Sequence, residues 1–181
     1  GPGRCRGRPA DVTRSRPVEL GFVAHDDPVL LAQMSLVQAG GNGWINVEPV
    51  IDEEHRPDAP GPFAFLGGST HKIPVITWIP GRLQPGRPAK ATTVGLQHAS
   101  GPRVTWRLRD LGLPVPEGWK VTQDHPRRGL VAEVPPDAVN DAVIDWLLRA
   151  AGAVCQVPMS GHWTAAVHAG LGGGRADQTM R

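Results

Sequence analysis

Apolar and polar positions alternate or recur along this chain in a way that divides it into two halves. In the first, Val18, Leu20 and Phe22 alternate with polar or small residues, the pattern of a strand with one buried face. His25-Asp26-Asp27-Pro28 follows, with Asp27 placed to cap a helix whose first residue is Pro28. Leu30, Leu31, Met34 and Val37 recur at helical spacing before Gly40-Gly41, which predicts a helix over 28–39. Strands are expected at 45–49, at Phe63–Leu66 and at 73–79, the last at a sheet edge because it carries Pro74. Residues 81–90, rich in Gly, Pro and basic side chains, read as a linker.

The second half is more regular. Val94 and Leu96 alternate in a strand over 92–97, and Ser100 with Pro102 opens a helix predicted over 102–111. Val104, Leu108 and Leu111 form its apolar stripe, and Gly112 and Pro114 end it. Trp119–Gln123 alternates again, His125-Pro126-Arg127-Arg128-Gly129 has turn chemistry, and Leu130, Ala132 and Val134 share one face of the next strand. Asp137 is placed to cap a helix over 137–151, buried through Val139, Val143, Trp146, Leu147 and Ala150 and stopped by Gly152. Trp163, Ala165 and Val167 alternate in a last strand.

The predicted class is therefore α+β. A ferredoxin-like βαββαβ half is expected over 91–170, preceded by a βαβββ half over 17–80, together one mixed or antiparallel-rich domain over 17–170. A faint internal echo links the halves: a strand ending in His, a helix begun near Pro28 or Pro102, then Gly43-Trp44 or Gly118-Trp119. Duplication would produce this, and so would the ordinary preferences of helix starts and turns.

Charge is uneven. Residues 1–16 carry five Arg against one Asp, and with the tail at 171–181 they leave a net −3 for residues 17–170 out of an overall +2. Both ends are expected to be disordered, since neither has an apolar stripe to bury. The arm's composition and the lack of an initiator Met suggest a fragment or a start set too far upstream. A nucleic-acid binder would carry its basic stripe on the fold itself, so nucleic acid is disfavoured as a partner. No apolar run is long enough to cross a bilayer, which disfavours a membrane partner. Cys5 and Cys155 make no disulfide framework, and a reducing, cytoplasmic setting is expected.

Candidate chemistry follows from topology. In βαββαβ the ends of the first and second strands and the starts of the third and fourth share one rim. That rim should gather Gln97-His98, Gln123-Asp124-His125, Arg127-Arg128 and His162. His98, Asp124 and His125 are the candidate acid/base residues, with His98 in front because a helix N-terminus follows it and should lower its pKa. Gln97, Gln123, Arg127, Arg128 and His162 are the candidate ligand contacts, the arginines suiting an anionic group through bidentate bonds. The competing reading is a set of polar residues on solvated loops. No HExxH or CxxC spacing points to a metal, and no motif points to a cofactor. Gly67-Gly68-Ser69-Thr70 fits neither a nucleophile elbow nor a phosphate loop.

Three functions are open to such a chain. One is a small enzyme with a His-based acid/base and an Arg anion site. Another is a non-enzymatic small-ligand-binding or regulatory module, with a small anionic ligand and room for a homodimer. The third is a nucleic-acid binder acting through the Arg-rich arm.

Overall fold

The structure is a computed structural model and describes residues 16–56, 72–82 and 90–169. The expected strand at 63–66, the Gly67–Thr70 turn, most of the linker, and the arm and tail (apart from Arg16) lie outside the described residues. Among the described residues the order is β1 (Val18–Phe22), α1 (Pro28–Gly40), β2 (Gly43–Pro49), β3 (Val75–Ile79), β4 (Thr92–Gln97), α2 (Val104–Asp110), β5 (Lys120–His125), β6 (Gly129–Val134), α3 (Asn140–Val154) and β7 (Trp163–Ala169). A single 3-10 turn, Glu53–His55, follows β2. The class is α+β: three helices and one seven-stranded sheet in which every neighbouring pair is antiparallel.

Strand order is β1-β7-β2-β3-β4-β6-β5. As expected, β4 and β5 run parallel with β6 inserted between them. The departure is β7. A ferredoxin-like second half would set it beside β4, but it lies between β1 and β2, paired from Val18↔Val167 to Phe22↔Trp163 on one side and from Gly43↔Ala169 to Pro49↔Trp163 on the other. The place beside β4 belongs to β3. The sheet thus carries a β-α-β segment with an inserted antiparallel strand on each side of a central β3, and one hydrogen-bonded ladder joins the two halves. Central placement of β3 also corrects the expectation of an edge strand: Pro74 stands just before the strand, where its missing N–H removes no ladder bond.

The three helices cover one face. Alternation dictates which strand residues meet them: Ile45, Val47, Ile76, Trp78, Val94, Leu96, Leu130, Ala132, Ala165 and Val167 are all buried. Leu30, Met34 and Val37 of α1, Val104 and Leu108 of α2, and eight residues of α3 close the core from above. Fully burying one such aliphatic side chain stabilises by roughly 1.5–3 kcal/mol relative to leaving it in water. Among the described residues no helix lies on the opposite face of the sheet. Its middle row runs across the strands as Glu19, Ala166, Asn46, Thr77, Gly95, Val131 and Gln123.

Helix ends divide by origin. Asp27 accepts the Val29 N–H at 2.8 Å and Pro28 opens α1, while Gly41 closes it in the left-handed region. Neither Ser100 nor Asp137 caps its helix, because α2 begins at Val104 and α3 at Asn140, beyond their reach. α3 also runs past Gly152 to Val154. Of the tryptophans, Trp78, Trp146 and Trp163 are buried and Trp119 packs edge-on to Trp146. Trp44 is not in the core: it lies on the open face, stacked on His168 with ring centroids 4.6 Å apart. Trp106 is exposed, with the guanidinium groups of Arg103 and Arg109 4.6 and 5.8 Å from its ring centroid.

Candidate functional site

The ends of β1, β2, β4 and β5 and the starts of β3, β6 and β7 do share one rim, as the pairing register requires. Sharing a rim is not sharing a site. Three strand spacings separate β7 from β4 and five separate it from β5, about 14 and 24 Å at ordinary inter-strand distance. His162 is therefore remote from His98 and His125, and it borders a different shallow depression with Phe22, Asp27 and Val50.

His98 continues the inward parity of Val94 and Leu96, so its side chain turns under the helices and is only 2% exposed. Its Nδ1 accepts the Ser100 N–H at 3.1 Å, which folds the chain from β4 toward α2. Its Nε2 is buried without a hydrogen-bond partner among the described residues. Burial pulls the imidazole pKa below its ordinary value; the Asp124 carboxylate raises it in part, and Arg107 lowers it further. The group is held neutral, as acid/base chemistry would want, but it has no exposed face from which to meet a substrate.

Asp124 sits on the same side of the sheet, opposite Leu130. Its carboxylate accepts the Val104 N–H at 3.0 Å, the Thr105 N–H at 3.1 Å and the Thr105 hydroxyl at 2.6 Å. α2 therefore takes its N-terminal cap from a neighbouring strand, because Arg103, at the cap position with φ 57°, offers no side-chain bond. His125 is committed to its own hairpin: Nδ1 accepts the N–H groups of Arg127 and Arg128 at 3.1 and 3.2 Å. Gln123 holds the same turn, its amide donating to the carbonyls of Arg128 and Gly129. Gly129 must be glycine here, with φ 79° and a Cβ position that would run into the Leu96 carbonyl.

Two of the expected ligand contacts do meet. Gln97, of outward parity on β4, and Arg128, from the β5–β6 turn, border one slot on the open face. The slot has a volume of about 180 Å³ and runs down β4 over Gly95. Thr77 and Thr93 flank it, and Ile79 and Val131 give it apolar walls. Arg127 is exposed and does not border it. The result separates the expected chemistry: His98 and Asp124 face the helices, whereas Arg128 and Gln97 face the other side of the sheet.

Sequence reading did not anticipate Gly95, Thr77 or Ile79 as parts of a site. Alternation assigns their face, but only the pairing of β3 with β4 makes them neighbours. Asp27 caps α1, while His25 reaches α3, with Nε2 3.1 Å from Asp141 and Nδ1 3.4 Å from Asp145; Asp145 also pairs with Arg149 at 3.5 Å. Asp52, Glu54 and His55 approach one another on the surface, all three exposed to water. Among the described residues no helix is long and apolar enough to cross a membrane. No protein-family model matches this chain, and comparison with curated proteins and with solved structures finds no match.

Proposed function

We propose that this protein is a small-ligand-binding module, with an anionic ligand of short apolar body held in the slot on the open sheet face. One observation carries the reading: Arg128 and Gln97 stand at one end of a slot that runs over Gly95, with Ile79 and Val131 among its apolar lining. A guanidinium and a carboxamide at one end suit a carboxylate through charge-assisted hydrogen bonds. The absence of a side chain at Gly95 leaves room for the ligand body along about 13 Å of strand, from Gln97 to Thr93. A volume of about 180 Å³ suits a small ligand.

Binding is favoured over acid/base catalysis because the most suitable base, His98, is enclosed on the other side of the sheet and borders no part of the slot. The ferredoxin-like relation of each half rests on the split β-α-β arrangement flanking β3.

The test uses benzoate and hexanoate as probes, with benzylamine as the charge control, read by thermal shift and calorimetric titration. Gly95→Val fills the slot, and the backbone accepts it: an added Cβ would meet Thr77 Cβ at 3.7 Å and the Leu130 carbonyl at 3.9 Å, ordinary contact distances. The carboxylates should bind the wild type, bind Arg128→Ala at least about tenfold more weakly (about 1.4 kcal/mol), and not bind Gly95→Val. Equal affinity in all three proteins, or no binding to the wild type, overturns the reading.

A further inference from the structure

The open face of the sheet is unlike a water-facing one. An antiparallel sheet with one solvated side shows polar, often charged, residues outward along each strand. Here the outward positions of the five inner strands are mainly Thr, Val, Ile, Ala, Gly and Trp, and Glu48, Glu133 and His168 are the acidic or basic residues among them. Charge is displaced to the outer strands, to Glu19 on β1 and Lys120 on β5. Depletion of charge at the centre with charge at the rim is the anatomy of a protein interface.

From this we infer that two copies of the chain dimerise through their open sheet faces, with a two-fold axis running along β3. The inference goes beyond the ligand reading and does not depend on it. Symmetry of the sheet about β3 makes it specific, since an axis along the fourth of seven strands sets β2 over the partner's β4, β7 over its β6 and β1 over its β5.

The register then fixes what meets what. Residues on the axis meet their own copies, and these are Val75, Thr77 and Ile79, none of which carries a charge that would repel itself. Ala166 stands over the partner's Val131, and Trp44 over the partner's Thr93. The two inner acids meet groups that can donate to them: Glu133 faces the partner's His168, and Glu48 faces the partner's Gln97. Asn46 faces the space above the partner's Gly95, so each slot gains a roof from the other copy.

The other face-to-face axis, across the strands, would set Glu48 over the partner's Trp44, whose one donor is the indole N–H, and Glu133 over the partner's Gly129, which has no side-chain donor; the axis along β3 gives both acids a polar partner across the interface.

The available area agrees with a reversible dimer. Seven strands at ordinary spacing span about 29 Å, and strands of five to seven residues about 20 Å, giving about 600 Å² per copy taken as a flat rectangle. About 1,200 Å² for the pair is the lower end of the range for specific interfaces.

Sedimentation and light scattering of the full chain across about 1–500 µM should show a monomer–dimer equilibrium with a dissociation constant in the micromolar range or below. Thr77→Arg sets two guanidinium groups against each other on the axis and should leave a monomer of unchanged far-UV circular dichroism. Should that variant fail to fold, cross-linking decides. In a Cys5→Ser, Cys155→Ser background, Thr77→Cys should be joined into a dimer by a short bis-maleimide, and Ser35→Cys, exposed on α1, should not. A wild type that is monomeric at every concentration, a Thr77→Arg protein that still dimerises, or a Ser35→Cys protein that cross-links as well as Thr77→Cys overturns the inference.

Discussion

Replacing His98 by Ala separates a core histidine from a catalytic one. The imidazole is 2% exposed and accepts one backbone hydrogen bond, from Ser100, so both packing and a turn depend on it. Losing that bond costs about 1 kcal/mol. Emptying the space of a buried ring costs about 2–3 kcal/mol after partial relaxation. Against these, the substitution removes the buried and unpartnered Nε2, recovering about 1 kcal/mol. The net loss is about 2–3 kcal/mol, or a melting temperature lower by about 5–10 °C for a chain of this size. His98→Asn should regain about 1 kcal/mol, because an Asn side chain can accept the N–H two residues on in an Asx turn.

The same variants carry a pH signature. The folded pKa of His98 lies below its unfolded value of about 6.5. The unfolded chain therefore binds the proton first, and the contribution of neutral His98 is fully present above about pH 6.5. It is lost as pH falls from there through the folded pKa. Urea unfolding at pH 7.5, 6.5 and 5.5 should show wild-type stability falling with acidification more steeply than that of His98→Asn. A His98→Ala protein within about 0.5 kcal/mol of wild type, with the same pH slope, would refute the account.

Two further substitutions test how the rim is built. Asp124→Ala removes a carboxylate that takes both free N–H groups at the start of α2, and should destabilise by about 2 kcal/mol in denaturant titration; a loss below about 0.5 kcal/mol would mean that α2 does not need this cap. Gly129→Ala forces a side chain into a left-handed position against the Leu96 carbonyl and should cost at least about 2 kcal/mol, whereas Gly161→Ala, also at positive φ but with open space around it, should cost about 1 kcal/mol; equal effects in thermal melts would remove the steric argument.

Local interactions were legible in the sequence because they are written within a few residues of one another. Asp27-Pro28 and Gly41 bound α1, the alternation in Thr92–Gln97 and Trp163–Val167 names the buried residues of β4 and β7, and the turn before Gly129 makes the β5–β6 hairpin. The α+β class and the parallel placement of β4 and β5 follow from these.

What the tertiary structure alone decided depends on partners distant along the chain. β7 goes between β1 and β2 rather than beside β4, and β3 becomes the centre of the sheet rather than its edge; hydrophobic alternation is the same for either neighbour and does not choose between them. The cap of α2 comes from Asp124, twenty residues away, because a helix end needs an acceptor and is indifferent to its origin. The site divides for the same reason. Gln97 and His98 are adjacent in sequence, but successive strand residues point to opposite faces, so one came to the slot and the other to the core.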